Sequence, residues 1–323
     1  MIDFELPKEL IAQEPANPRD SARLLVYNRN TQTLTDTVFS ELPKFLPKNT
    51  TLVLNNSKVE HCRWLFDEGK TELFVLDKLD RYTVRALVRP GKKFKMGKTV
   101  QLTEWLRAET TATDDEGIRT LRLNVMHDDA RLRAIEHVPL PPYIAQNDTL
   151  AEEYQTVYAK PLGSKAAPTA GLHFTEGLLA SIGEKHDVLE VTLHVGLGTF
   201  ASLTDENYAT GRLHAEWYKI PESVEMRLQQ AQHITTVGTT TTRTLESWAA
   251  SGDRMAETDI FIQPGYEFKV VNSIITNFHL PGTSLLLMIE AFVGSESEMQ
   301  RIYDHAIAQK YRFYSFGDAM LIL

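Results

Sequence analysis

The chain has 323 residues, 42% hydrophobic and 24% charged, with Lys+Arg 34 against Asp+Glu 43 and a net charge of −9; this suits one large or two globular domains and excludes a disordered chain. A single cysteine, Cys62, excludes an internal disulfide framework and a cysteine-ligated zinc or iron–sulfur site of ordinary ligand count. The start, MIDFELPKEL, carries acids and a proline where a signal peptide needs a basic and then apolar run, and the longest apolar stretch, SLLLMIEAFVG, is too short for a bilayer and contains Glu290, so a cytoplasmic chain with no membrane partner is expected.

In chain order, RLLVYNRNTQTLTDTVF reads as two strands around a polar turn and TTLVLNN as a short buried strand. From Arg63 to Val125 the pattern stays all-β, with TELFVL, YTVRALV, KTVQL and TLRLNV as short strands, which suggests a small barrel. VPLPPYI is stiff and extended and serves as the return linker. Strands and helices then alternate. TEGLLASIGE is a helix, VLEVTLHVG an alternating strand, ITTVG a strand leading through a glycine turn into the helix TTTTRTLESWAA, and IFIQPGYEF, SLLLMIEAF, ESEMQRIYDHAIAQKY and FGDAMLIL carry the alternation to the end. The predicted class is α/β: a mixed α/β main domain over 1–60 and 145–323 with an inserted small β-barrel domain over 61–144.

Within the barrel, KLDRYTVRALVRPGKKFKMGK holds eight Lys/Arg and one acid, so it carries +7 and leaves −16 for the rest. It is either an anion-binding surface or a solvated strand face with lysine-protected edges. GLGTFA, from Gly196, fits a dinucleotide fingerprint after a strand, with Glu216 further on. The following ASLTDENYATGR has no apolar period for the helix that the fingerprint must open, which disfavours a dinucleotide-dependent oxidoreductase.

In VGTTTTRTLES, Gly238 allows a tight turn, the first helical turn offers N–H groups with the Thr239 and Thr240 hydroxyls, and Arg243 can add a clamp. That is a carboxylate or phosphate site, or ordinary threonine capping. Histidines recur beside small or turn residues: His173 in AAPTAGLHFT, His194 in LHVG, His214 in LHAEWY and His279 in NFHLP. No zinc-binding spacing appears among them. Four histidines at strand ends or turns point to a shared cleft. On LHAEWY, His214, Glu216 and Tyr218 share one face.

The sequence resembles the S-adenosylmethionine:tRNA ribosyltransferase-isomerase family of queuosine biosynthesis, nearly end to end. The resemblance rests on FELPKELIAQEPANPRDSARLLV, RPGKKFKMG, PLPPYI, YQTVYAKPLGSKAAPTAGLHFT, VTLHVGLGTF, LHAEWY, VGTTTTRTLES, IFIQPGYEFKVV, TNFHLP and YRFYSFGDAMLIL, in family order. It implies an α/β domain of mixed sheet with an inserted β-barrel. It also implies transfer and isomerisation of the ribosyl group of S-adenosylmethionine onto 7-aminomethyl-7-deazaguanine at the tRNA wobble position, giving epoxyqueuosine and releasing adenine and methionine. No metal or redox cofactor is implied, because the cosubstrate is consumed. A monomer is expected.

Such a reaction needs a base to remove a 5′ proton acidified by the sulfonium, and an acid as adenine leaves. His173, His194, His214, Glu216, His279 and Asp318 form the pool of candidates. Alanines, Pro168 and Gly171 around His173 would let a nucleoside approach the backbone. The matching motifs add Arg19, Asp20, Tyr154, Gln155, Thr169, Gly171, Gly196, Gly198, Thr239, Thr240, Arg243 and Asn277 as substrate-binding positions, and Arg89, Lys92, Lys93 and Lys95 as tRNA contacts. The chain departs from the family pattern at Asn56 in NNSKV, Gly211, Lys165 and the TS after NFHLPG. A non-catalytic RNA-binding homologue is the rival reading.

Overall fold

Apolar alternation builds the larger of two units as a sheet buried on both faces. The computed structural model describes residues 2–144, 147–196, 198 and 203–323. One unit comprises Met1–Lys58 with Pro141–Leu323, the other Val59–Leu140. The first holds a sheet of β1 (Arg23–Asn28), β2 (Thr33–Val38), β3 (Thr50–Asn55), β4 (Asp187–Leu193), β5 (Arg212–Lys219), β6 (His233–Val237), β7 (Met255–Ile260), β8 (Ser273–Asn277) and β9 (Ala319–Ile322), in the order β7-β5-β4-β3-β6-β8-β9-β1-β2. The central run β4-β3-β6-β8 is parallel. β9 is antiparallel to β8 and parallel to β1, and β2, β5 and β7 pair antiparallel toward the edges.

Its helices are α1 (Glu176–Gly183), α2 (Asp205–Thr210), α3 (Glu222–Leu228), α4 (Thr239–Ser251), α5 (Ser284–Val293) and α6 (Glu296–Ala308). Successive strand residues point to opposite faces. Leu24, Val26, Leu52, Leu54, Ile275 and Leu321 therefore pack in one layer with Leu178 and Ile182 of α1 and with Phe39 and Leu42. Leu25, Tyr27, Val53, Ile274, Met320 and Ile322 pack in the other with α4, α5 and α6. β3, buried at all six positions, is threonine and apolar residues up to Asn55, whose side chain is hydrogen-bonded to the Leu193 backbone, as suits a central parallel strand. The chain leaves β3 on one side for β4 and β5 and returns on the other for β6 and β8. Strand order thus reverses at β3, and the crevice beyond the carboxyl ends there is the expected ligand position in an open α/β sheet.

Three local departures from the sequence reading have physical causes. The IFIQPGYEF segment is strand only through Ile260; Gln263 to Tyr266 then turn, with Gly265 at φ +96, because Pro264 cannot continue the ladder. β8 is a strand that the alternation had not separated, and it is buried at every position. α2 forms without an apolar period, on a capping box between Thr204 and Asn207. Of the GLGTFA motif, Leu197, Thr199, Phe200 and Ala201 lie outside the described residues.

The inserted unit is an antiparallel sheet in the order Glu136–His137, Arg63–Phe66, Thr71–Lys78, Thr83–Arg89, Arg119–Leu123, Arg107–Thr113, Thr99–Gln101. Its two end strands do not pair with each other, so it is a curled half-barrel around Trp64, Leu73, Val75, Val84, Phe94 and Leu121.

Candidate active site

At the carboxyl end of β6 the chain turns through Gly238, whose φ of +88 suits glycine and whose N–H donates to the Ile275 carbonyl at 2.8 Å. α4 starts at once, and Gly238 offers no side chain to cap it. Its first-turn N–H groups lack the usual cap acceptor, which favours a negative group there. The threonines are partly committed inward. Thr241 Oγ1 donates to the Val237 carbonyl at 2.6 Å, Thr242 Oγ1 pairs with Thr236 Oγ1 at 2.7 Å, and Thr240 Oγ1 accepts from Asn55 Nδ2 at 3.2 Å.

A cavity of about 360 Å³ opens here. Gly238, Thr239 and Thr240 form one side, the Ala166–Ala170 segment another, and Thr276, Asn277 and the His279–Thr283 loop after β8 a third. Tyr143, Tyr154, Tyr314 and Ser315 also line it, with Pro142, Val195 and Leu285. The rings of Tyr143 and Tyr314 sit 3.9 Å apart at 35°, and the Tyr143 hydroxyl shares a hydrogen bond with Ser315 Oγ at 2.5 Å. Tyr143, Tyr314 and Ser315 were not singled out by sequence, although PLPPYI and YRFYSFGD carried the only signal available, aromatics in a polar frame.

The four histidines do not converge. His279 lines the cavity, its Nε2 is 2.8 Å from Thr276 Oγ1, and burial lowers its pKa to about 4, which keeps it neutral at pH 7. His173 lies behind the wall, 4% exposed, its ring 4.9 Å from that of Phe39. Asn277 directs its Nδ2 to the carbonyls of Tyr314 and Ser315 at 2.9 and 3.1 Å, so its Oδ1 faces His173 Nε2 at 2.9 Å and that nitrogen donates. Burial lowers the pKa of His173 to about 4 as well. His194 stacks on Trp217, ring centroids 5.2 Å apart, away from the cavity. His214 is exposed on β5 while Glu216 and Tyr218 are buried, and the register with β7 is irregular between Arg212 and Glu216.

Arg243 is turned away from the cavity: it is 6% exposed, salt-bridged to Glu216, and donates through Nη2 to the Thr258 carbonyl at 3.3 Å. Glu216 in turn accepts the Gly196 N–H at 2.8 Å. Together with His214 and Gly198 they border a separate niche of about 20 Å³. A Cβ on Gly198 would come within 2.5 Å of His214, which accounts for that glycine. Gly171 is accounted for by protein packing as well, since a Cβ there would lie 2.0 Å from the Tyr158 hydroxyl, rather than by close approach of a nucleoside.

Asp318, 2% exposed, accepts from the Arg23 and Arg312 backbone N–H groups at 3.0 and 2.8 Å and from the Arg312 side chain, outside the cavity lining. Arg19 grips the Gln155 and Glu152 carbonyls and Glu153, and Asp20 accepts from the Thr175 hydroxyl that caps α1. Of the sequence candidates, Tyr154, Thr169, Thr239, Thr240, Asn277 and His279 line the cavity. Among the described residues no group of three or more His, Cys, Asp or Glu could hold a metal ion, and no helix is long and apolar enough to cross a membrane.

In the half-barrel, buried Phe94 anchors the PGKKFKMG loop and leaves Lys92 and Lys95 exposed on either side. Arg89 pairs with Glu72 at 2.8 Å, Lys93 with Asp67 at 3.3 Å, and Arg85 with Asp77 and Asp114. The positive stretch is therefore narrower than its sequence count, centred on Lys92, Lys95 and Lys98.

A family model described as queuosine biosynthesis protein matches residues 1–322. The chain is 43% identical to the S-adenosylmethionine:tRNA ribosyltransferase-isomerase of Thermotoga maritima, covering 100% of this chain and 98% of that protein. It is 42% identical to the protein of the same name from Rubrobacter xylanophilus, covering 100% and 96%. Its fold is similar to the crystal structure of S-adenosylmethionine tRNA ribosyltransferase from Thermotoga maritima, with a TM-score of 0.57, 35% identity and 99% of each chain covered.

Proposed function

The chain belongs to the queuosine biosynthesis family, and we propose that it transfers and isomerises the ribosyl group of S-adenosylmethionine onto tRNA. The acceptor is 7-aminomethyl-7-deazaguanine at the wobble position, the product epoxyqueuosine, and the released molecules adenine and methionine. S-adenosylmethionine is consumed, so no metal or redox cofactor enters the reaction. The chain works as a monomer in the cytoplasm.

One observation supports this reading most directly: the cavity at the switch point joins an uncapped helix start to a wall of tyrosines. The methionine carboxylate of the cosubstrate suits the first turn of α4, through backbone N–H groups and the Thr239 hydroxyl. Tyrosine faces suit a sulfonium and a nucleobase. The sulfonium acidifies the 5′ hydrogens, and a base must take one. We assign that role to His279, which lines the cavity and is neutral at pH 7, while His173 holds Asn277 from behind.

The test incubates the protein with S-adenosylmethionine and tRNA carrying the 7-aminomethyl precursor, then follows the nucleoside by mass spectrometry and adenine by chromatography. Epoxyqueuosine with matching adenine is expected. A protein that binds this tRNA yet yields neither product is a non-catalytic homologue, and the proposal fails.

A further inference from the structure

Tyr154 has the one side-chain hydroxyl in the cavity lining that is buried and left without a hydrogen-bond partner among the described residues. The residue is 0% exposed, and its ring meets Phe316 edge-on at 5.8 Å. The oxygen lies near the Ala167 backbone and the Ser315 side chain without reaching hydrogen-bond geometry with either, and Ser315 Oγ is already engaged by Tyr143. A buried hydroxyl with no partner carries a desolvation cost, and a ligand atom that meets it removes that cost.

The lining says which ligand atom that is. The Ala166–Ala170 segment runs along the cavity between its two polar features. Ala167 lies beside Tyr154, whereas the Ala170 methyl sits 3.7 Å from where a Cβ on Gly238 would stand, beside the α4 start. Three residues span at most about 10 Å, a length within an adenosyl amino acid. A carboxylate at α4 therefore leaves the opposite end of the same ligand at Tyr154. That end is walled by Tyr143, Tyr314 and Pro142, flat surfaces for a ring. Burial raises the phenol pKa, so the hydroxyl keeps its proton and acts as a donor. Of the atoms on a purine, the ring nitrogens are the acceptors.

We propose that Tyr154 is a specificity-determining residue whose hydroxyl donates a hydrogen bond to a ring nitrogen of the nucleobase of the cosubstrate. This rests on the reading of the cavity as the S-adenosylmethionine site. The test measures kcat/KM for S-adenosylmethionine and for its 1-deaza, 3-deaza and 7-deaza analogues, at saturating precursor tRNA, in the wild-type protein and in Tyr154→Phe. Phenylalanine removes only the oxygen, so the melting temperature should hold or rise, as it would not if the hydroxyl braced the fold. For the natural cosubstrate, kcat/KM should fall by about 10-fold or more. One of the three analogues should lose a similar factor in the wild type and lose no further in Tyr154→Phe, which identifies the nitrogen. Equal kcat/KM in both proteins for the natural cosubstrate, or losses that multiply for all three analogues, would overturn the assignment. A wild-type protein that turns over none of the four cosubstrates refutes the reading of the function instead.

Discussion

Replacing Glu216 with leucine tests whether Arg243 is a strut or a ligand clamp. In the folded protein the guanidinium is 6% exposed and its ionic partner is Glu216. Removing one partner of a buried pair strands the other charge and costs about 3 to 5 kcal/mol. The unit that contains the pair has about 240 residues. At about 2.1 cal/mol/K per residue its unfolding entropy is about 0.5 kcal/mol/K, so its melting temperature should drop by about 6 to 10 °C. Arg243→Met should cost a similar amount, because it removes the cationic partner of the buried Glu216 carboxylate.

The double variant Glu216→Leu/Arg243→Met removes both charges together and takes side-chain partners from the Gly196 N–H and the Thr258 carbonyl. Because neither charge is then stranded, its loss should stay well below the sum of the single costs, within about 2 kcal/mol of the wild type. Differential scanning calorimetry measures the stabilities, and KM for S-adenosylmethionine is measured on the double variant at 25 °C. A ligand clamp would raise that KM by about 10- to 150-fold, the equivalent of a charge-assisted hydrogen bond. A strut leaves it nearly unchanged. Single variants that melt with the wild type, or a double variant whose loss equals the sum of the two, would refute the strut.

Gly171→Ala places a methyl 2.0 Å from the Tyr158 hydroxyl and should destabilise by about 1 to 3 kcal/mol in denaturant titration, with partial recovery in Gly171→Ala/Tyr158→Phe, because Thr156 Cγ2 still lies 2.9 Å from the new methyl. Alanine at Lys92, Lys95 and Lys98 should reduce the salt slope of tRNA binding by about 0.7 to 0.9 per lost phosphate contact, and alanine at Arg89 or Lys93 by less, since Glu72 and Asp67 already pair with them; filter binding across a salt series decides it. His173 has a folded pKa of about 4, below the unfolded value near 6.5, so the unfolded chain takes up the proton first and stability is lost as pH falls from about 6.5 through about 4. Between pH 7 and pH 4, urea unfolding should show the wild type losing about 3 kcal/mol more than His173→Gln, which can still donate to Asn277 and keeps the same contribution from His279; equal losses in both proteins would remove His173 from the account.

Sequence made legible what depends on neighbouring residues. A glycine between a strand and a threonine-led helix demands a positive φ and exposes N–H groups, so the α4 start could be placed from VGTTTTR. A run of alanines around one proline marks backbone that other atoms approach, and Ala166 to Ala170 do line the cavity. What could not be read is which side of a wall each long side chain takes. His173 and His279 stand in similar bare frames, but the first is trapped between Phe39 and Asn277 while the second lies just past the strand that opens on the cavity. Arg243 follows the α4 start closely enough to serve an anion there, but helix rotation carries it toward β5, where Glu216 is 27 residues away in sequence. The tyrosines come from positions 143, 154 and 314, and no period links them. Whether a hydroxyl among them is satisfied depends on a neighbour such as Ser315, which takes Tyr143 and leaves Tyr154 unmet. Short-range signals thus locate the cavity through what its backbone must do, whereas the polarity of its walls is set by pairings over long sequence distances, and those pairings separate residues that touch a ligand from residues that hold the wall.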